Sequence, residues 1–238
     1  MKVWGRGFTL RWLGHSAFHL TTIAGKHVLI DPWLTGNPTA PLDAEPAHVD
    51  LILVSHGHGD HVGDAVRLAK QHGCPVVCGF ELSLFFESEG VTTASGMGKG
   101  GTQTAAGIAI TATHAIHSSS VDDREPRIYA GEAMGFVITL ENGDPLYFAG
   151  DTGPMMDMQL IGDLYEPLVA MLPIGDFYTM GPREAAYAMK LLGAPFVIGM
   201  HYGTFPPLVG RPEMLEAELA KRGVSAQVIK LEPGGSVS

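Results

Sequence analysis

Cysteine is scarce in this chain, whose 238 residues include only Cys74 and Cys78. Their spacing, C-P-V-V-C, matches neither a zinc ribbon nor a thioredoxin-type redox motif. The Pro75-Val76-Val77 stretch between them predicts the start of a strand, so we expect both thiols to pack as small apolar groups. So few cysteines fit a protein of a reducing compartment.

Long apolar runs and clusters of basic residues are also missing. No window of about 18 apolar residues occurs, and the first 20 residues contain no continuous apolar core of the signal-peptide kind. We therefore expect no membrane span, no membrane partner and a cytoplasmic protein. Lys and Arg number 15 against 25 Asp and Glu, a formal charge of −10, which argues against nucleic acid as the main partner.

Composition and length favour one folded domain. Hydrophobic residues make up 45% of the chain and charged residues 17%, which provides a core and excludes general disorder. A length of 238 residues lies within the range of a single large α/β domain, so we expect residues 1–238 to form one domain.

Short apolar runs alternate with amphipathic stretches along the chain. The runs predict strands at 9–13, 17–21, 27–30, 51–54, 76–78, 108–113, 136–140, 146–149, 169–172, 196–200 and 226–231. The amphipathic stretches predict helices at 63–72, 82–88, 155–164, 182–192 and 212–222. Segments 93–107 and 118–132 show neither pattern and are expected to be surface loops, the second a candidate lid. The order indicates two packed sheets with helices outside.

Four predicted strands are each followed closely by a side chain that can bind a metal ion. His56 follows the strand at 51–54, His114 and His117 follow the strand at 108–113, Asp151 follows 146–149, and His201 follows 196–200. In α/β folds, sites are built beyond the carboxyl ends of strands. Histidines scattered over a surface would not be expected to mark successive strand ends.

The segment VSHGHGDHVGD contains the densest group of these side chains. His56 and His58 are two residues apart, so in extended backbone their rings point the same way. The intervening glycines permit the bend that brings Asp60 and His61 back to the same point. Asp60 precedes a helical pattern, where its carboxylate can meet free backbone N–H groups. Imidazole nitrogen with carboxylate oxygen suits zinc, manganese or iron; the alternative is a solvated His-rich loop.

The remaining ligands are harder to assign from the residues alone. His114 and His117 are three apart and face opposite ways on a strand. We favour His117 as the ligand, supported by Ser118-Ser119-Ser120, and assign His114 to packing or to support of a ligand. Asp151 by itself could cap a turn, and His201 by itself could be a buried structural histidine. Alongside the other histidines, a ligand role is expected for both.

This order of residues resembles the metallo-β-lactamase superfamily and, within it, the UPF0173 family of metal-dependent hydrolases. The resemblance to the family runs over nearly the whole chain and is carried by WLGHSAF from Trp12, DPWLTGNP from Asp31, LPIGD from Leu172, TMGP from Thr179 and MHYGTFP from Met200. One departure is Phe148, where many relatives are expected to carry His. The resemblance implies an α/β (α+β) fold, an αββα sandwich of two mixed sheets flanked by helices.

The resemblance also implies a ligand set and a cofactor. His56, His58 and His117 would hold one metal ion. Asp60, His61 and His201 would hold the other, and Asp151 would bridge the two. The cofactor would be two divalent ions per chain, with Zn²⁺ the first expectation and Mn²⁺ or Fe²⁺ as alternatives.

Such a site predicts a binuclear hydrolase. Two dications that share a water lower its pKa towards about 7, so that hydroxide is available to cleave a small ester, lactone, amide or phosphoester. Asp60 is the expected catalytic residue, which orients the nucleophile or shuttles its proton. The excess positive charge favours an anionic small-molecule substrate. The alternative is an inactive metal-binding sensor or scaffold, and redox chemistry at two irons is a third reading. The oligomeric state stays open, with a homo-oligomer among the options.

Several other residues keep open roles. His15 reaches the site or serves as a structural histidine. Asp31 is expected to support a turn or a ligand. Asp176 and Thr179 follow a strand end and are candidates for substrate contact. Four aromatic residues could either line a pocket or only pack against their neighbours: Phe177, Tyr178, Tyr202 and Phe205.

Overall fold

The computed structural model describes residues 4–122 and 124–238. Within these ranges two seven-stranded mixed sheets pack face to face, and helices cover both outer faces. This arrangement confirms the predicted αββα sandwich. None of the helices in the described ranges is long and apolar enough to cross a membrane.

The first sheet is built mainly from the N-terminal half of the chain. Its strands are β1 (Thr9–Trp12), β2 (Phe18–Thr21), β3 (His27–Ile30), β4 (Leu51–Leu53), β5 (Val76–Gly79), β6 (Ala94–Met97) and, from near the C-terminus, β16 (Ser236–Val237). They lie in the order β16-β1-β2-β3-β4-β5-β6. Strands β1 to β3 are antiparallel, and β3 to β6 are parallel. Because β2 reverses the chain, β1, β3 and β4 end at the same edge.

The second sheet follows in sequence. Its strands are β7 (Thr102–Ala105), β8 (Ile108–His114), β11 (Met134–Thr139), β12 (Pro145–Phe148), β13 (Val169–Pro173), β14 (Phe196–Met200) and β15 (Gln227–Val228), in the order β15-β14-β13-β12-β11-β8-β7. A separate pair is formed by β9 (Ser120–Val121) and β10 (Ile128–Tyr129). Strands β12 to β15 are parallel, and β11 is antiparallel to both β8 and β12. Strands β8, β12, β13 and β14 therefore share one carboxyl edge.

Six helices complete the part of the fold that the structure describes: α1 (Gly59–Val62), α2 (Ala65–His72), α3 (Phe80–Ser88), α4 (Asp157–Tyr165), α5 (Pro182–Leu192) and α6 (Pro212–Arg222). Helices α2 and α3 pack on the first sheet, and α4, α5 and α6 pack on the second. Pro182 and Pro212 occupy the first turn as predicted. Gly193 and Gly223 end α5 and α6 in the left-handed conformation.

The core has three apolar layers because every central strand is buried on both faces. On β4 and the residue that follows it, Leu51 and Leu53 face the other sheet, whereas Ile52 and Val54 face α2 and α3. This alternation follows the two-residue period of a strand. Phe148 is fully buried between the sheets and meets Phe18 edge to face, with 6.2 Å between ring centroids. The departure at this position therefore fills core volume.

Both predicted loops contain strands, so those two expectations are wrong in part. Segment 93–107 contains β6 and β7, which are the last strands of different sheets. Its Gly, Thr and Ala residues have weak strand preference, and pairing with β5 and β8 determines the conformation instead. Segment 118–132 contains the short β9–β10 pair. The described part of this segment contacts residues 56–61, which we call the HGHGDH turn.

The helix predicted at 63–72 begins later, and a separate single turn precedes it. Gly63 has a left-handed φ of 42°, and a Cβ there would lie 2.4 Å from the Trp33 Cα. The chain therefore breaks between α1 and α2. Asp64 supports the break by accepting hydrogen bonds from the Leu34 and Thr35 amides at 3.0 and 2.7 Å. The consequence is that Asp60 and His61 lie on α1.

Candidate metal centre

The carboxyl edges of the two sheets meet at one place. The His201 amide donates to the His15 carbonyl at 2.9 Å, and the Met134 amide donates to the Ser55 carbonyl at 3.1 Å. The loops after β4, β8, β12 and β14 open at this junction. They bring all seven predicted ligands together, as the strand-end pattern predicted.

His56, His58 and His117 form the first group, which we call the three-histidine cluster. One ring nitrogen from each lies within 4.8 Å of the other two. His56 Nε2 and His58 Nδ1 are 3.0 Å apart, and the His117 ring centroid is 5.1 Å from each of the other two. Three imidazoles converging on one point match a three-ligand transition-metal site.

Asp60, His61 and His201 form the second group, the mixed cluster. Their ligand atoms, together with one of His15, all lie within 4.8 Å of one another. His61 Nε2 is 3.9 Å from Asp60 Oδ1. The Asp60 carboxylate accepts from His15 at 3.1 Å, which corrects the expectation that it meets free backbone N–H groups.

Asp151 lies between the two clusters. Its Oδ2 is 2.9 Å from His201 Nε2, 3.3 Å from His61 Nε2 and 3.7 Å from His117 Nε2. The residue is buried, with 2% of its surface exposed. A single buried carboxylate that faces both groups is positioned to serve both.

Asp31 orients one imidazole of each cluster. His61 Nδ1–H donates to Asp31 Oδ2 at 2.7 Å. His56 Nδ1 is 2.9 Å from the Ser55 hydroxyl, which in turn donates to Asp31 Oδ2 at 2.6 Å. In the neutral form of each ring these bonds place the proton on Nδ1, so that the Nε2 lone pair faces the site. The expected supporting role of Asp31 is confirmed by these contacts.

The two clusters differ in how burial and neighbouring charges shift the pKa values of their side chains. Burial lowers the pKa of every histidine in the three-histidine cluster and holds that of His56 well below its usual value. Burial also opposes charge on His61, but the surrounding carboxylates, Asp151 first, raise its pKa well above the usual value. Burial likewise opposes ionisation of Asp151, yet His201 and His61 hold its pKa well below the usual range.

The polar atoms of the centre fit divalent ions. Among the buried side-chain atoms of the described residues that have no hydrogen-bond partner are two of this centre, His61 Nε2 and Asp151 Oδ1. Unpartnered buried polar atoms are costly and rare. With a cation bound, His61 would keep the proton on Nδ1, which is bonded to Asp31, and would turn its Nε2 lone pair to the ion. Nitrogen and carboxylate donors of this kind are those that zinc takes.

The structure gives His114, the serines after His117, and His15 contacts that differ from those the sequence predicts. His114 lies outside both clusters, and Lys99 Nζ donates to its Nδ1 at 2.9 Å. The serines support the HGHGDH turn rather than His117: Ser118 Oγ is 3.4 Å from His58 Nε2, and Ser119 Oγ accepts from the Gly57 amide at 3.1 Å. The strand-end rule also applies to β1, whose end leads to His15, so the same signal indicates that this residue lies at the site.

Gly57 lets the HGHGDH turn approach the β9–β10 segment. An added Cβ would lie 2.6 Å from the Ala130 Cβ and 2.9 Å from the Ser120 carbonyl carbon. We expect Gly57→Ala to lower the free energy of unfolding by about 1–3 kcal/mol through overpacking and to weaken zinc binding. Urea unfolding and a zinc titration measure both effects. Gly153→Ala is the control, because its added Cβ meets no atom within 4 Å; equal behaviour of the two variants would contradict the prediction.

The fold and the site define a β-lactamase superfamily protein, and comparison with known families agrees. The sequence model of the Beta-lactamase superfamily domain matches residues 26–202. Within that superfamily, the chain belongs to the UPF0173 metal-dependent hydrolase family. It is 48% identical to a member from Koribacter versatilis over 89% of this chain and 91% of the relative, and 46% identical to one from Chloroflexus aurantiacus over the full length of both.

A solved structure supports the same assignment. Igni18, a metallo hydrolase from the hyperthermophilic archaeon Ignicoccus hospitalis, superposes with a TM-score of 0.85 and 37% identity. The match covers 97% of each chain. The similarity therefore extends over both sheets and the loops that form the metal centre.

Proposed function

We propose that this metal-dependent hydrolase works with two divalent cations, one held by the three-histidine cluster and one by the mixed cluster. The observation that carries the proposal is the position of Asp151 Oδ2, which lies within 3.7 Å of nitrogens from both clusters. A carboxylate shared in this way is the expected bridge of a two-metal site. The donor set favours zinc, with manganese and iron as alternatives.

Access to the site is one-sided. His56, His61 and His201 are buried, with at most 2% exposed, whereas the side chains of Asp60 and His117 are 27% and 15% exposed. Each cluster offers three protein ligands in addition to Asp151, which leaves room for a further ligand as catalytic sites require. A small molecule would therefore approach along the Asp60 and His117 side.

When bound, a pair of divalent cations would supply hydroxide at neutral pH and stabilise negative charge that develops on the substrate. We assign Asp60 to orientation of the attacking group and to movement of its proton, because its carboxylate lies at the open side. Asp151 and the histidines hold the centre in place. The substrate class we propose is a small ester, lactone, amide or phosphoester. An anionic group on it is favoured, because two dications outweigh the two carboxylates of the centre.

The test combines metal analysis with a substrate panel. We expect about two transition-metal ions per chain and turnover of at least one generic ester, lactone, amide or phosphodiester. Asp60→Asn should reduce kcat by about 10²–10⁴-fold, the range for a general acid–base group. Asp163→Asn, which removes an exposed carboxylate on α4, is the charge-matched control.

Two outcomes would count against the proposal. A chain that holds no metal after growth in medium supplemented with zinc and manganese would exclude the two-metal centre. Full loading without turnover across the whole panel would instead favour a sensor or scaffold that binds metal without catalysis.

A further inference from the structure

His15 is a fully buried polar residue next to the mixed cluster, and it lies outside the residues 26–202 that the superfamily model matches. It follows β1 in the turn to β2, with a left-handed φ of 53° that a non-glycine residue rarely adopts. Its ring centroid is 4.0 Å from that of His201 and 5.2 Å from Trp33. Strained residues of this kind concentrate at functional sites.

Both ring nitrogens of His15 have partners. Nε2 is 3.1 Å from Asp60 Oδ2, and Nδ1 is 2.9 Å from the Thr204 hydroxyl. An ionised carboxylate can only accept, so the proton must lie on His15 Nε2. Thr204 can then donate to Nδ1. The result is a fixed chain, Thr204 to His15 to Asp60, that ends on one oxygen of the Asp60 carboxylate.

The backbone holds His15 in this position. Its carbonyl accepts from the Trp12 indole N–H and from the His201 amide, each at 2.9 Å. The same residue therefore ties the backbone of one predicted ligand, His201, and the side chain of another, Asp60. Such a double connection explains why the strained φ is retained.

We propose that His15 is a positioning residue that holds Asp60 Oδ2 and thereby directs Oδ1 into the mixed cluster. This inference rests on the proposed two-metal function. Asp60 Oδ1 is the oxygen on the His61 side, 3.9 Å from His61 Nε2. With Oδ2 occupied, Asp60 is limited to one ligand oxygen, and its orientation is set before a cation or a substrate arrives.

The rival role is that His15 binds metal itself, since one of its nitrogens lies within 4.8 Å of ligand atoms from Asp60, His61 and His201. That role would need the Nε2 lone pair to face the cation. The hydrogen bond to Asp60 would then be lost and the carboxylate left without its donor. The observed contacts satisfy both nitrogens and favour positioning.

Two substitutions of His15 separate these roles. In His15→Gln the amide nitrogen can occupy the Nε2 position and donate to Asp60. In His15→Asn the amide is too short to reach it, although asparagine tolerates a left-handed φ better than glutamine does. Positioning therefore predicts that Gln preserves function and Asn does not, an order that backbone strain alone would reverse.

The readouts are zinc affinity and the absorption spectrum of the cobalt-substituted protein. We expect His15→Asn to bind the second zinc ion about 10–100-fold more weakly, as is typical when the partner of a ligand is removed, and to show an altered cobalt spectrum. The first zinc ion should bind as in wild type. His15→Gln should match wild type in both measurements. With any substrate that the enzyme turns over, the Asn variant should show a larger change in kcat, which falls, than in KM.

Each outcome decides the proposal. Equal losses in the Gln and Asn variants would support direct ligation by His15 and overturn positioning. Wild-type affinity and spectrum in His15→Asn would overturn it as well. Should the Asn variant fail to fold, the same test can be made at Thr204, whose hydroxyl contacts His15 Nδ1. Thr204→Val should weaken binding of the second zinc ion, whereas Thr204→Ser, which keeps the hydroxyl, should not. Wild-type protein that binds no zinc would instead contradict the proposed function.

Discussion

Asp151→Asn is expected to abolish hydrolysis and to prevent the two zinc ions from binding together. Loss of a partner that only supports a ligand costs about 10–100-fold, so loss of the shared carboxylate should exceed about 100-fold in both activity and affinity. The reason is that Asp151 Oδ2 lies 2.9 Å from His201 Nε2 and 3.7 Å from His117 Nε2. The Asn amide would offer one neutral oxygen, whereas two cations held close together require the negative charge of a carboxylate. Zinc titration and steady-state kinetics measure the effect.

Folding must be checked alongside, because Asp151 is buried and charged. Far-UV circular dichroism and thermal unfolding of the metal-free variant show whether the sandwich persists. Asp163→Asn provides the matched loss of one carboxylate at an exposed position. A folded Asp151→Asn protein that binds two zinc ions with activity within about tenfold of wild type, less than even the loss of a supporting partner would cost, would show that Asp151 is not shared by the two ions.

Removal of metal is expected to have the largest effect on stability. The centre contains buried polar atoms without partners among the described residues, and bound cations would satisfy them. Ligand at 100 times its Kd stabilises by about 2.7 kcal/mol per site, so two sites give about 5 kcal/mol and a rise in Tm of about 10–20 °C. Differential scanning calorimetry of chelated and zinc-loaded protein measures it.

Adding metal back to the chelated protein distinguishes the loss of metal from irreversible damage to the fold. Activity should vanish on chelation and return when zinc is added back. Arg67→Ala, a change in a surface cation that pairs with Glu45 and Asp64, should show the same metal-dependent difference in Tm as wild type. An unchanged Tm in fully chelated protein would indicate that the centre folds without cations and would contradict this prediction.

Much of the fold could be predicted because its strands are short apolar runs with clear boundaries. The prediction placed β4 and β14 correctly, and the residues that follow them, His56 and His201, lie in the centre. It failed for β6 and β7, whose Gly, Thr and Ala residues form strands only because a neighbouring strand pairs with them. The break at Gly63 also depends on contact, since Trp33 leaves no room for a Cβ there.

The candidate site divides in the same way. The spacing H-x-H-x-D-H identified four residues from local sequence alone, because their backbone places them on one turn. The role of His15 could not be predicted from local sequence, because its partners Asp60 and Thr204 lie 45 and 189 positions away. Its orientation depends on how the β1–β2 turn meets the loop after β14.

By itself the sequence determined the donor types, their attachment to strand ends and the family, since these depend on residue identity and on local periodicity. Only the tertiary structure decided which donors share a cluster, which oxygen of Asp60 is free and where Asp151 stands between the two groups. Those properties depend on how two sheets pack, and the packing sums many weak contacts between residues far apart in the chain.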